Sequence, residues 1–484
     1  MIRQSLLFSG LGRYGAVGIQ IVATVILARL LTPEEIGLFS ISFAAISLAH
    51  TLRDFGLTAY IIQEAQLTGV RMRSALGLAL AVSWTLGGSL FLLRDTLAWL
   101  LGDPAVGLVV TILSLNFLLV PFVSITGALF QRDMRFLEIG IIGIGGALAQ
   151  NVTAIVLAAG GAGVISLAWG NVAGIVASAV ISYCCRPAMM PFLPHWREMR
   201  RVLRFSTSMS AAAVLVEIGS TGTDVVVGRF VGYGPLGHFS RATGLVQLFH
   251  QVVMDVVNPI TMPTFSRLHR EKKDLRGAYL ISVTYITALG FPFFGFLFLW
   301  SETIVLMLYG DQWGTAAMIV RILCIGAMLH LPLAFSDKLL ISVGQPSANL
   351  RMQVLFQSTK LAMISAMVPF GLWQIAGAHA AAFAILYAIA MPLLTRHVGI
   401  RFGDIATASA PSLAVTAVAL VPAALIVWSV PAEEAHVLGL LGAMPATAAA
   451  WLAALYLTRH PIWSEVPLAR AALARIFARP VPLP

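Results

Sequence analysis

Val25, Arg29, Gly37, Phe39 and Ser40 return as Val225, Arg229, Gly237, Phe239 and Ser240, each 200 positions on, and Leu48 and His50 extend the match to Leu248 and His250. Each copy lies at the boundary between two strongly apolar runs, so what is duplicated is a bundle of apolar helices. Two like bundles in one chain place a substrate path between them, which points to transport rather than catalysis.

Those runs belong in a membrane. Apolar residues make up 58% of the chain and charged residues 11%, against an apolar share of roughly 45–50% in soluble proteins, and the mean hydropathy is +0.88. At about 20 apolar residues per span, the 484 residues hold roughly 12–15 helices and no sizeable soluble domain. Apolar length predicts an all-α integral membrane protein of about 14 transmembrane helices. Six fall near 6–30, 36–62, 75–93, 106–130, 138–160 and 163–185, and six more near 205–228, 236–264, 279–301, 314–341, 350–370 and 374–395. Two follow near 406–429 and 436–457. The predicted layout is a six-helix lobe at 1–190, an amphipathic cytoplasmic linker at 191–204, a pseudo-symmetric six-helix lobe at 205–400, two additional helices at 401–458 and a cytoplasmic amphipathic tail at 459–484. Arg3 precedes a first run without a small-residue cleavage site, which reads as a retained first helix.

The net charge of +10 does not indicate nucleic acid, because Lys and Arg are scattered over short connections instead of forming one stripe. About 23 of the 31 fall at the N-terminus, after even-numbered spans or in the tail, which predicts that both termini are cytoplasmic. Two segments mix cations with apolar residues at helical spacing, from His195 to Arg204 and around Leu473, Ile476 and Phe477, and read as interfacial helices in contact with membrane lipids. Cys184, Cys185 and Cys324 offer neither a disulfide framework nor metal-ligand spacing.

Charge inside a span is costly, about 2.5–3.5 kcal/mol for an Arg at a helix centre, so such residues face a watery cavity or a partner unless they snorkel to the interface. Arg13, Arg53, Arg241, Arg321 and Lys360 lie within predicted spans of both halves. They suggest a shared cavity with a positive field, and a guanidinium fork suits phosphate oxygens, so the inferred cargo is anionic. Asp54, Glu217, Asp224 and Asp255 are ion-coupling candidates that could instead pair with an arginine, Asp54 with its neighbour Arg53. Arg29 and Arg229, at span ends, read as structural markers of a helix boundary, and His50 and His250 as polar contacts near the pseudo-axis. Pro121, Pro259, Pro263, Pro292, Pro332, Pro369 and Pro392 interrupt spans, as hinges or as kinks fixed by packing. No phosphate-binding Gly-rich loop, zinc-binding His pair or serine elbow is present, so neither an enzyme nor a cofactor is expected.

The passage from Ala28 to Phe39 (ARLLTPEEIGLF), followed by Asp54-Phe55-Gly56-Leu57 and Ile62-Gln63, resembles the opening of bacterial polysaccharide flippases. These are the Wzx-type exporters of the multidrug/oligosaccharidyl-lipid/polysaccharide superfamily, and the layout matches over about the whole chain. The resemblance implies two six-helix lobes in a V around a central cavity, as in the related drug antiporters, with two added helices. It further implies an inner-membrane monomer that moves an undecaprenyl-diphosphate-linked glycan to the periplasmic leaflet, alongside a polysaccharide polymerase and assembly proteins. Relatives use cavity arginines on helices 1, 2 and 8, which Arg13, Arg53 and Arg241 match by placement. A lipid II flippase and a drug/cation antiporter are the alternatives, and a membrane glycosyltransferase or glycan polymerase would be the enzyme reading. The antiporter would favour a carboxylate-lined cavity, and the enzyme would need large outward loops that this chain lacks.

Overall fold

The computed structural model describes residues 2–54, 56–64, 67–185, 195, 199–429 and 436–465, and all regular elements among them are helical. Helices α1 (Ile2–Leu30) and α2 (Pro33–Asp54) meet at a capping box. Thr32 N–H donates to Glu35 Oε2 at 2.8 Å and Glu35 N–H donates to Thr32 Oγ1 at 3.3 Å, satisfying amides that have no partner within the helix. Where the sequence predicts one helix over 36–62, Gly56 adopts φ 66° and divides it into α2 and α3 (Leu57–Gln63), because a left-handed residue ends the hydrogen-bond ladder.

The chain continues through α4 (Gly69–Leu92), the short α5 (Arg94–Leu101), α6 (Pro104–Ser114), α7 (Asn116–Arg132), α8 (Phe136–Ala159) and α9 (Val164–Cys184). Next come α10 (Met199–Phe230), α11 (Tyr233–Phe249), a π turn over His250–Met254 and α12 (Asp255–Arg270). After α13 (Leu275–Leu299) and the short α14 (Ser301–Tyr309), α15 (Gly314–His330) passes through a 3-10 turn at Leu331–Leu333 into α16 (Ser336–Ser342). The last four helices are α17 (Pro346–Met367), α18 (Leu372–Val398), α19 (Phe402–Ser429) and α20 (His436–Leu457).

Among the described residues, ten helical stretches are long and apolar enough to cross a membrane, and Tyr14–Leu30 is a shorter apolar one. The expectation was about 14. The difference lies in α1 and α10, whose side chains are described only in part, in the interrupted α11–α12 stretch, and in α17, which carries Arg351 and Lys360. Of the two amphipathic segments read from sequence, residues 196–198 and 466–484 lie outside the described residues, as do the side chains of 199–204.

Two compact units divide the chain: residues 1–241, 309–313 and 364–372 form one, and 242–308, 314–363 and 373–484 the other. In the first, Leu57, Tyr60 and Ile61 of α3 pack with Met72, Ala75 and Leu76 of α4 and with Ile125 and Leu129 of α7. There α8 and α9 meet through small residues, and a Cβ on Gly170 would strike Ala154 and the Gln150 carbonyl, the close approach by which membrane helices gain dispersion contacts. In the second unit Trp300 packs on Ala423, Leu440 and Ala443.

Two in-helix prolines are repaired from outside. Pro121 cannot donate to the Phe117 carbonyl four residues back, and Ser83 Oγ of α4 donates to it at 2.6 Å. Pro292 likewise leaves the Ala288 carbonyl free, and Trp451 Nε1 of α20 donates to it at 2.9 Å. Both kinks are therefore fixed by a neighbouring helix.

Candidate functional site

The repeated residues come together. Ser40 Oγ of α2 donates to Ser240 Oγ of α11 at 3.0 Å. A Cβ on Gly37 would collide with the Tyr233 carbonyl oxygen, and one on Gly237 with that of Pro33, so each glycine meets the other copy's counterpart position. Reciprocal contact of this kind is the signature of a local two-fold axis. Only glycine allows the two backbones to come so close.

Beside this crossing, the end of α1 is held by side chains that follow α14. Trp313 Nε1 donates to the Ala28 carbonyl at 2.8 Å, and Gln312 Nε2 donates to the Ala28 and Leu31 carbonyls at 2.8 and 3.2 Å. The Ala28 oxygen belongs to the last turn of α1 and the Leu31 oxygen lies just past its end, where the helix supplies no onward amides. Trp313 is fully buried, with the His238 ring edge-on at 5.4 Å and Tyr309 at 6.1 Å.

Arg241 lies over the same indole, its Cζ 5.9 Å from the ring centroid. Its Nε is buried with no hydrogen-bond acceptor, and no carboxylate pairs with it among the described residues. Cation–π attraction offsets part of the cost of desolvating that charge, but the guanidinium hydrogens stay available. Such an arrangement can take up an anion.

Arg53 sits at the end of α2 in the same unit. Its Nη1 donates to His50 Nδ1 at 2.8 Å, which leaves the hydrogen of that ring on Nε2. His50 stacks on Phe117 at 4.7 Å and Arg53 Cζ lies 5.9 Å from the same ring. Arg53 lines a cleft with Thr58, Pro121 and Ser124. Arg13 lies within α1 and Asp54 at the end of α2, and the side chains of both are outside the described residues.

The other predicted residues are distributed differently. Arg321 of α15 donates from Nε to Ser301 Oγ at 2.9 Å and pairs with Glu302 at 3.2 Å, tying itself to the first turn of α14. Lys360 of α17 is 6% exposed, with Nζ 5.7 Å from the Phe356 ring centroid. Asp255 pairs with His250 at 3.3 Å. Glu217 and Asp224 are half-buried along α10. Arg229 donates from Nε to the Leu100 carbonyl at 2.9 Å, and Tyr233 donates to Leu101 O at 2.9 Å, together closing the end of α5.

Sequence reasoning missed Gln312, Trp313 and His238. The available signal was an amide and an indole directly after Gly310-Asp311, both strong donors between two apolar runs. No cluster of three or more His, Cys, Asp or Glu able to hold a metal occurs among the described residues.

A family model described as "Polysaccharide biosynthesis protein" matches residues 26–318. The succinoglycan biosynthesis transport protein ExoT of Rhizobium meliloti (strain 1021) is 27% identical over 344 residues, covering 70% of this chain and 68% of that protein. The lipopolysaccharide biosynthesis protein WzxC of Escherichia coli (strain K12) is 23% identical over 343 residues, covering 69% and 66%. The alignments thus span about two thirds of these relatives' own length. Among solved structures, the lipid II flippase MurJ in an inward closed conformation superposes with a TM-score of 0.73 at 12% identity over 99% of both chains, a likeness of fold.

Proposed function

Because the chain belongs to the polysaccharide biosynthesis protein family, we propose that it is a flippase carrying an undecaprenyl-diphosphate-linked oligosaccharide from the cytoplasmic to the periplasmic leaflet by alternating access. The observation that carries this reading is Arg241, a half-buried arginine over an aromatic ring whose enclosed Nε has no acceptor and which has no carboxylate partner among the described residues. A diphosphate supplies the missing charge and matches the guanidinium fork with paired oxygens.

In this mechanism Arg13, Arg53 and Arg241 hold the diphosphate, and Arg321 and Lys360 extend the positive field. Asp54, Glu217, Asp224 and Asp255 are the carboxylates available for ion coupling. The polyprenyl tail stays in lipid, where its burial costs nothing, while the polar glycan crosses through the protein. The proposed architecture is fourteen spans, six in each of two like halves and two beyond, with both termini cytoplasmic in the bacterial inner membrane. A polysaccharide polymerase and assembly proteins act on the exported glycan.

Depletion of the protein tests the reading. Lipid-linked repeat units should accumulate on the inner leaflet while their synthesis continues. Normal export under depletion overturns it. The full-length likeness to the MurJ fold supports lipid II as a second cargo, since the headgroup chemistry is shared; accumulation of lipid II alone would favour that cargo.

A further inference from the structure

Arg53 lies in the last turn of α2, and a long cation at the end of a membrane helix can extend outward to the interface. This one is turned back. Its Nη1 reaches His50 Nδ1, three residues earlier on the same helix, at 2.8 Å. Arginine has no acceptor atom, so the imidazole nitrogen must accept, and a nitrogen that accepts carries no proton. His50 is therefore neutral in this contact. An uncharged acceptor fixes the direction of a guanidinium without cancelling its charge, whereas a carboxylate compensates it, as Glu302 does for Arg321 at 3.2 Å.

The imidazole is itself held in place. Its ring stacks on Phe117 with centroids 4.7 Å apart and on Phe43 at 6.4 Å. Phe117 is fully buried, and its carbonyl receives Ser83 Oγ of α4 at 2.6 Å. A hydrogen bond to a ring fixed in this way restricts a side chain that otherwise has many rotamers. The guanidinium is left 5.9 Å from the Phe117 ring, at the wall of the cleft that Thr58 and Ser124 also line. Hydroxyls beside an oriented guanidinium are donors of the kind that phosphate oxygens accept from.

The duplication sets this pair apart. His250 is the counterpart of His50, but Val253 stands where Arg53 does, and His250 pairs with Asp255 at 3.3 Å instead. The histidine recurs, and its arginine three residues on does not.

We propose that His50 is the positioning residue of the headgroup site, a neutral acceptor that presents the Arg53 guanidinium to the diphosphate in one orientation. This rests on the flippase reading, in which Arg53 holds the headgroup. Such preorganisation raises affinity because the side chain has lost its freedom before the ligand arrives.

Calorimetric titration of the purified full chain with undecaprenyl diphosphate tests the role. His50→Phe keeps a ring against Phe117 and removes the acceptor, and it should weaken binding about tenfold, the scale of one hydrogen bond to a charged group. His50→Asn returns an acceptor oxygen to the place of Nδ1 and should recover most of that loss. In an Arg53→Gln background His50→Phe should cost nothing further, which a histidine that only supports the fold would not produce. Full affinity in His50→Phe, or the same tenfold loss in the Arg53→Gln background, overturns the proposal and leaves Arg53 in the site. Full affinity in Arg53→Gln itself removes Arg53 from the headgroup site, and the positioning role with it.

A second measurement needs neither cargo nor a folded His50→Phe. The Nδ1 nitrogen-15 resonance of His50, assigned by its loss in His50→Asn, should be that of an unprotonated nitrogen accepting a hydrogen bond. It should move to the unbonded position in Arg53→Gln. A protonated Nδ1, or one indifferent to Arg53→Gln, overturns the proposal whatever the titrations show.

Discussion

An arginine that is desolvated without a counter-ion costs stability, and it is tolerated where a ligand supplies the charge. Arg241 meets that description, while Arg321 has Glu302 at 3.2 Å. The two arginines should therefore respond differently to substitution. Arg241→Gln should weaken binding of undecaprenyl diphosphate by tenfold or more, since a hydrogen bond to a charged group contributes about 1.5–3 kcal/mol. Arg241→Lys should recover only part of that, lacking the fork. Arg321→Gln should change affinity by less than about threefold, as its charge is already compensated. Calorimetric titration of the purified variants measures all three, and equal losses at both positions would remove Arg241 from the headgroup site. That Arg241 lies on a helix was legible from sequence. Its lack of an acceptor was not, because the indole beneath it comes from Trp313, 72 positions along the chain (313 − 241).

At the level of helices, prolines within spans read as hinges or, for most of them, as kinks fixed by packing, and two of them are braced by a neighbouring helix. The Phe117 carbonyl that Pro121 cannot serve receives Ser83 Oγ at 2.6 Å, so the kink is locked to α4. Ser83→Ala should lower stability by about 1 kcal/mol, the scale of hydrogen bonds between membrane helices. In a Pro121→Ala background the helix donates its own amide to Phe117, and the same Ser83→Ala change should then cost almost nothing. Reversible unfolding in detergent gives both differences; equal costs in the two backgrounds would show that Ser83 does not repair this break. Apolar run length located ten spans that the described residues bear out, but not where they break. Gly56 and the turns at His250–Met254 and Leu331–Leu333 are set by local backbone geometry and by side chains from distant helices, neither of which hydropathy reports.

For the molecule as a whole, residues repeated 200 positions apart meet at one crossing, and a further likeness lies outside that spacing. Leu101-Gly102-Asp103 after α5 and Tyr309-Gly310-Asp311 after α14 share a left-handed glycine, at φ 97° and 96°. Their offset is 208 (310 − 102), so a fixed spacing could not find them. Helices α2 and α11 cross on glycines, where the two backbones come close and Ser40 hydrogen-bonds to Ser240. A carrier of the proposed kind must move helices past one another, and a covalent link at this crossing asks whether α2 and α11 take part. Ser40→Cys with Ser240→Cys, in a chain whose Cys184, Cys185 and Cys324 are replaced by alanine, places two thiols where hydroxyl oxygens now lie 3.0 Å apart, close enough to bridge. Oxidation should then arrest glycan flipping in proteoliposomes and reductant should restore it, while either single cysteine variant transports under both conditions. Undiminished transport by the fully cross-linked protein would mean that α2 and α11 stay together through the cycle, and that the movement exposing the headgroup to each side takes place elsewhere in the chain.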